Sequence, residues 1–277
     1  MSDVTRINTN LQALSSLNAL QRTNSLLGIR QLRLATGSQI NRAEDDSAGY
    51  TIAKKLEARV RGQAKALQNI GDAKSMLTVA EGSLNSLMDI LQSMKEKTVQ
   101  AANDTMGTTE RDAIKNELDA LSAEITDILG DTTFNGTSLF SSAGTSFTYQ
   151  VNAENGDTFS ASVASMAIGV TGMSVATGDL LVTGASTAGA TLARIDTAIN
   201  TVSSTLASIG DSQKRLSFKQ ENLQTSMVNY EAARSRIQDA DFAKEQMEIL
   251  KLQILQQTGT AALAQANTGP QSILQLF

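Results

Sequence analysis

The sequence predicts a mainly α protein: a long antiparallel helical coiled-coil bundle with a small β-rich excursion between N- and C-terminal helical arms. Three observations lead there. Only one Pro occurs among 277 residues, and Pro is the residue least compatible with a helix interior. Apolar side chains recur at alternating spacings of 4 and 3 in three separate segments, which is the heptad signature. Between residues 135 and 190 that pattern stops, and the chain becomes rich in Gly, Ser, Thr, Ala and Asn without a single Lys or Arg.

In chain order, the first arm runs from about Leu11 to Leu34. Leu11, Leu14, Leu17, Leu20, Leu26, Leu27, Ile29 and Leu32 cover more than one side of it, so the helix must be buried over a broad surface. Thr36-Gly37-Ser38 breaks it. Asp45-Asp46-Ser47 then places short acceptor side chains before a long Ala-, Lys- and Leu-rich stretch, a helix start. The second helix is expected from about Asp46 to Asn103, with its seam at Ala73, Leu77, Ala80, Leu84, Leu87, Leu91, Met94, Thr98 and Ala101. Met106-Gly107-Thr108-Thr109 interrupts the chain, with Thr109 as candidate cap. A second seam follows at Ile114, Leu118, Leu121, Ile125 and Ile128 and ends at Gly130-Asp131.

Asn135-Gly136 is a turn dipeptide. Phe147-Thr-Tyr149-Gln-Val151 alternates large and polar residues, and Asn155-Gly156-Asp157 turns the chain before Thr158-Phe159, so a hairpin is expected. The third seam is Ile195, Ile199, Val202, Leu206, Ile209, Gln213, Leu216, Gln220, Leu223, Met227, Tyr230, Arg234 and Ile237. Gln213 and Gln220 put polar side chains in the core stripe, which weakens a coiled coil but sets its register. The last arm, from Phe242, carries Met247, Ile249, Leu250, Leu252, Ile254 and Leu255 on more than one face. Two such arms can pair and still leave apolar surface for partner chains. The expected division is arms at 1–40 and 239–277, bundle at 41–134 and 191–238, and excursion at 135–190.

Composition removes several functions. The chain has no His, Cys or Trp. It therefore has no disulfide framework, thiolate nucleophile, conventional zinc site, or Ser–His or Cys–His catalytic pair. Carboxylate-only chemistry survives that filter, but no acid pair stands out. Glu44-Asp45-Asp46 reads as a helix cap and exposed charge cluster. No catalytic residue, metal or cofactor is expected. The net charge of −5 does not suit general nucleic-acid binding. No apolar run approaches bilayer-spanning length. The N-terminus lacks the basic segment and apolar block of a secretory signal, which leaves a cytoplasmic chain or one exported by another route.

Several stretches together resemble bacterial flagellin. At the N-terminal end these are Arg6-Ile-Asn-Thr-Asn10, Leu34-Ala-Thr-Gly-Ser-Gln-Ile-Asn41, Ala43-Glu-Asp-Asp-Ser-Ala-Gly49 and Ile52-Ala53. Ala80-Glu-Gly82, Leu91-Gln92, Val99-Gln-Ala-Ala-Asn103 and Phe134-Asn-Gly136 continue the likeness. At the C-terminal end Ser235-Arg-Ile-Gln-Asp-Ala-Asp-Phe242, Ile254-Leu-Gln-Gln-Thr-Gly259, Ala264-Gln-Ala-Asn267, Pro270-Gln271 and Ile273-Leu-Gln-Leu-Phe277 complete it. No single piece is specific, but their order at both ends is.

The resemblance implies a subunit of the flagellar filament, a helical tube that acts as a propeller for motility. It implies that the arms form the inner tube, the bundle the next layer and the excursion the outer surface. It implies export through the flagellar type III apparatus without a cleaved signal peptide, to the extracellular flagellum. The expected partners are further copies of the chain, an export chaperone, and hook-associated junction and cap proteins. Ile7, Leu11, Leu14, Leu250, Ile254 and Leu255 are assigned to the inter-subunit core, and Met88, Leu91, Gln92, Lys95 and Glu96 to axial contacts. In many members a host innate immune receptor reads this last stretch through Leu-Gln-Arg followed by Arg-Glu-Leu. Here Ser93 replaces the Arg and Lys97 the Leu, so weak or no recognition is expected. The metallopeptidase that some members carry needs His and is excluded. The related hook–filament junction protein and, less well, a signalling coiled coil remain as alternatives.

Overall fold

The computed structural model describes residues 9–140, 145–163, 175–176, 178 and 180–274. Along these run α1 (Leu11–Thr36), α2 (Ser47–Ala101), α3 (Thr108–Asp131), β1 (Thr133–Phe134), β2 (Thr137–Ser138), β3 (Thr145–Gln150), β4 (Thr158–Val163), α4 (Ala185–Gln238) and α5 (Phe242–Leu274). The architecture is mainly α with two small antiparallel sheets. Contacts divide the chain into two compact units, Met1–Arg59 with Val228–Phe277, and Val60–Met227. The division falls inside α2 and α4, not at the breaks between helices.

Local chemistry explains the helix ends. Asn10 caps α1 by accepting from the Ala13 amide at 2.9 Å, and Gly37 ends it in the left-handed region at φ 67°, where a side chain is strained. The Asp46 carboxylate accepts from the amides of Ala48 and Gly49, each at 3.1 Å, and so caps α2 as expected. Thr109 does not cap α3. The N-cap there is Gly107, without a side-chain bond. Asp241 caps α5 through the amides of Ala243 and Lys244.

In the Val60–Met227 unit, α2, α3 and α4 share one core. Every expected seam position of α2 from Ala73 to Ala101 is buried, and Thr98 satisfies its hydroxyl on the Met94 carbonyl at 2.7 Å. On α4, Ile195, Val202, Ile209, Leu216 and Leu223 are buried as expected. The other expected positions are half-buried: Ala198 and Thr205 take core places while Ile199 and Leu206 pack at the flank, and Gln213, Gln220, Met227, Tyr230, Arg234 and Ile237 are half-buried as well. On α3, the buried line passes through Ser122 and Leu129, not Leu121 and Ile128. Ser122 can be buried because its hydroxyl donates to the Val175 carbonyl.

The excursion is less superficial than its composition suggests. β1 and β2 form the hairpin expected at Asn135-Gly136, whose φ values of 51° and 75° both lie in the left-handed region. β3 and β4 form the second hairpin, with Tyr149 opposite Phe159. Its inner face packs on the bundle core. The Tyr149 hydroxyl donates to Met76 Sδ at 3.0 Å, and the Arg215 guanidinium lies 5.0 Å from the Phe159 ring centre. Burial, with Asp72 adding to it, pushes the Tyr149 phenol above its ordinary value. Leu139, Phe140, Val175, Leu180 and Val182 join the same core. The excursion thus contributes several described apolar residues to the bundle core, while others such as Leu181 are exposed.

Candidate assembly interface

In the other unit, α1 and α5 pack side by side. They run antiparallel: Arg30 meets Glu245, Asn24 meets Gln256, and Asn10 donates to the Ala266 carbonyl. The facing positions are Ala13, Ser16, Leu20, Thr23, Leu27, Arg30 and Leu34 on α1. Glu245, Ile249, Leu252, Gln256, Gly259, Leu263 and Ala266 face them on α5. Both series step by 3 and 4, the spacing of a coiled-coil seam. Gly259 permits close approach, since a Cβ there would meet Leu20 Cδ1 at 3.3 Å.

This seam is thin. Its apolar cluster is Leu27, Ile249 and Leu252, with Leu34 packed against it. A charge network adds to it. Arg30 donates to both oxygens of the Glu245 carboxylate, at 2.8 and 3.1 Å. Arg33 lies 3.8 Å from Glu245 and 3.9 Å from Asp45. Asp45 in turn accepts from the amides of Asn41 and Arg42, each at 3.0 Å. Those bonds, with the field of Arg33, hold its carboxyl below the usual carboxylate value. Asp45 and Asp46 are thus occupied in ordering the turn before α2, as the reading of a cap and charge cluster requires. Two short backbone bonds, Gln39 to the Gln238 carbonyl at 2.6 Å and Ala240 to that of Gly37 at 2.9 Å, tie the two connecting segments together.

The apolar surface lies mainly outside the seam. Leu11, Leu14, Leu17, Leu26, Ile29 and Leu32 of α1, and Phe242, Met247, Leu250, Ile254 and Leu255 of α5, are all exposed, Ile254 to 61%. Ile29 and Leu32 also line a groove of about 500 Å³ with Arg33, Arg42, Glu44 and Asp45. Eleven large apolar side chains against a three-residue buried cluster describe a face built to be covered.

The expected site residues fall into different settings. Leu11, Leu14, Leu250, Ile254 and Leu255 are on the exposed faces. Ile7 lies outside the described residues. Gln92 and Glu96 are exposed and Met88 half-buried on α2. Lys95 is half-buried and pairs with Asp196 at 2.7 Å. Leu91 is fully buried in the bundle core, where the α2 seam places it, and not on the surface that carries Gln92 and Glu96. Gln213 and Gln220 are half-buried at the edge of the core rather than inside it. Gln213 donates to Glu81 at 2.9 Å, and Gln220 accepts from Lys74 at 3.3 Å. Sequence reading did not single out Glu245, Arg30 and Arg33. Arg30 and Glu245 fall in the 3-and-4 series that faces across the pair, but as charged residues they carry no signal in a count of apolar periods. Among the described residues no group of three or more acidic, His or Cys side chains could hold a metal ion, and no helix is long and apolar enough to cross a membrane.

A heptad bundle together with a helix pair that exposes broad apolar faces is the make-up of a structural protein, with no catalytic group in view among the described residues. The chain belongs to the bacterial flagellin family. The model of the flagellin N-terminal helical region matches residues 7–145 and that of the C-terminal helical region matches 192–277. The chain is 38% identical to flagellin of Bacillus subtilis over 98% of its own length and 99% of that protein. It is 32% identical to flagellin FlaB1 of Treponema pallidum, again over 98% and 99% of the two chains. In structure it is similar to a flagellar hook-associated protein of Vibrio parahaemolyticus, with TM-score 0.58 and 18% identity over 70% of this chain and 100% of that one. At that identity the likeness is one of fold. The family relation makes this chain a structural subunit of the bacterial flagellar filament.

Proposed function

We propose that the chain builds the filament by covering the outward faces of α1 and α5 with the same helices of neighbouring copies. The observation that carries this reading is the excess of exposed apolar side chains over the thin seam that pairs the two arms. Leu11, Leu14, Leu250, Ile254 and Leu255 are the core of that contact, joined by Ile7. Gln92 and Glu96, with Met88 and Lys95 beside them, form a polar surface for axial neighbours. A tube that does not close needs heterologous contacts, so these two patches meet different surfaces of the next copy. The arms then form the inner tube, the bundle the next layer, and the exposed edge of the hairpin region the outside. The assembled chain is extracellular, exported without a cleaved signal peptide, and works as a propeller rather than as an enzyme.

An export chaperone that covers the same apolar faces before assembly, and junction and cap proteins that meet them at the filament ends, fit this surface. Recognition by the host receptor is weak: Ser93 stands where an Arg is read, and Lys97 is engaged with Glu117 at 2.8 Å. The junction-protein alternative gains nothing specific, because a shared fold does not separate the two. Electron microscopy of purified chain supplied with sheared filament seeds or a precipitating salt tests the reading. Long tubes with a narrow lumen are expected, and chains that stay monomeric under all such conditions overturn it.

A further inference from the structure

Among the described residues of the Val60–Met227 unit the most exposed large apolar side chain is Phe218 of α4, at 58%. It sits between Lys214 and Lys219, both exposed and neither with an ion-pair partner among the described residues. Lys219 also borders a cleft in which Gln63 is 4% exposed and its Oε1 has no hydrogen-bond partner. A buried acceptor without a donor is costly, and this one lies in the cleft that Lys219 borders.

The same unit holds a surface of opposite character. A groove of about 390 Å³ between α2 and α3 is floored by Val79 and Ile128 and rimmed by Glu124, Asp127 and Asp131. Val79 is 41% exposed, and the three carboxylates have no ion-pair partner among the described residues. Its upper edge carries the exposed Thr133, whose hydroxyl is free to donate.

We infer that the groove between α2 and α3 receives Phe218 of a second copy of this chain, with Lys214 and Lys219 of that copy against Glu124, Asp127 and Asp131. The inference rests on the filament-subunit reading and names a contact within it. The apolar floor takes the ring, and the acidic rim meets the two ammonium groups. Charge complementarity selects the partner: the acidic rim repels the acidic surface of α3 itself and accepts the segment of α4 around Phe218, where exposed Lys214, Arg215 and Lys219 outnumber the flanking Asp211 and Glu221. One chain presents both halves on different helices, so copies joined head to tail through them make a heterologous contact that propagates from copy to copy. Part of its strength comes from exposed charges, so raised salt weakens it.

The test uses full-length chain elongating from sheared seeds, followed by light scattering, with helical content checked by circular dichroism. Lys214→Glu with Lys219→Glu should slow elongation at least tenfold, and so should Glu124→Lys with Asp127→Lys. All four changes in one chain should restore the rate to within threefold. Normal elongation of either double variant, or a fourfold variant no faster than the doubles, overturns the inference. Since the chain has no Cys, Val79→Cys together with Phe218→Cys provides an independent reading with a short bismaleimide. Filaments should yield a covalent ladder from the double variant and single chains from either change alone. Filaments without a ladder overturn this contact while the filament reading stands. An unmodified chain that never elongates overturns both.

Discussion

At the scale of single residues, charge placement does work that hydrophobic periodicity does not reveal. Asp45 is held in its ionised form by the amides of Arg42 and Asn41 and by Arg33. Its folded pKa is below its unfolded one, so its stabilising contribution is complete above about pH 3.8 and is lost as pH falls through the lowered value. The amide resonances of Asn41 and Arg42 should therefore titrate below pH 3.8, and Asp45→Asn should remove that titration. A midpoint at or above 3.8 contradicts the assignment. Glu245 is buried against Arg30. Glu245→Ala leaves Arg30 without its carboxylate and Arg33 with Asp45 alone, and should weaken the α1–α5 pair by about 1–3 kcal/mol, read as faster amide exchange in α1 with the bundle unaffected. Exchange unchanged in α1 would mean the pair is held by its apolar cluster alone.

At the scale of elements, the heptads of α2 were legible because Ala73 through Ala101 alternate cleanly and all are buried. Those of α3 and α4 were read one residue off in places. On α3 the buried line Arg111, Ile114, Leu118, Ser122, Ile125, Leu129 follows the ~3.6-residue turn of a straight helix rather than a strict heptad. A polar Ser satisfied by a distant carbonyl cannot be recognised as core from its type. Leu84 is fully buried in this core. Leu84→Ala should cost about 2–5 kcal/mol, measured by thermal unfolding of the monomer, and a loss under 1 kcal/mol would show that the core collapses around the gap. Hairpin docking depends on Gly62, where a Cβ would meet Ala153 Cβ at 2.8 Å. Gly62→Leu should displace the loop and destabilise by about 1–3 kcal/mol, with the Tyr149 environment changing in near-ultraviolet circular dichroism. An unchanged Tyr149 signal would show that the loop absorbs the side chain.

At the scale of the whole molecule, stability is distributed unequally. The bundle unit holds one extensive apolar core, whereas the paired arms hold Leu27, Ile249 and Leu252. Ordering a backbone residue costs ~1–2 kcal/mol, and so small a cluster offsets little of that across two helices. Amides of residues 11–35 should exchange rapidly in dilute monomer and become protected in filaments, while those of Leu84 to Met94 are protected in both. Full protection of the arms in dilute monomer would show that they need no neighbour. Leu250→Asp with Ile254→Asp should leave the monomer melting temperature within about 2 °C, since both side chains are exposed, and should abolish polymerisation. Tubes of normal length from that variant would place the inter-subunit core elsewhere.

The helices, their caps at Asn10, Asp46 and Asp241, and the two hairpin turns were determined by the sequence alone. Each depends on residues within a few positions of one another: a capping carboxylate, a left-handed Gly37, an Asn135-Gly136 pair. The surplus of apolar side chains on the arms was countable in the same way. Tertiary structure alone decided which of those side chains are left over. Leu27 and Ile249 are consumed by the seam while Leu26 and Leu250, one position along, face outward. It also drew Val175, Leu180 and Val182 into the bundle core. The physical reason is that burial is a property of two surfaces in contact, and a sequence specifies each surface long before it specifies its partner.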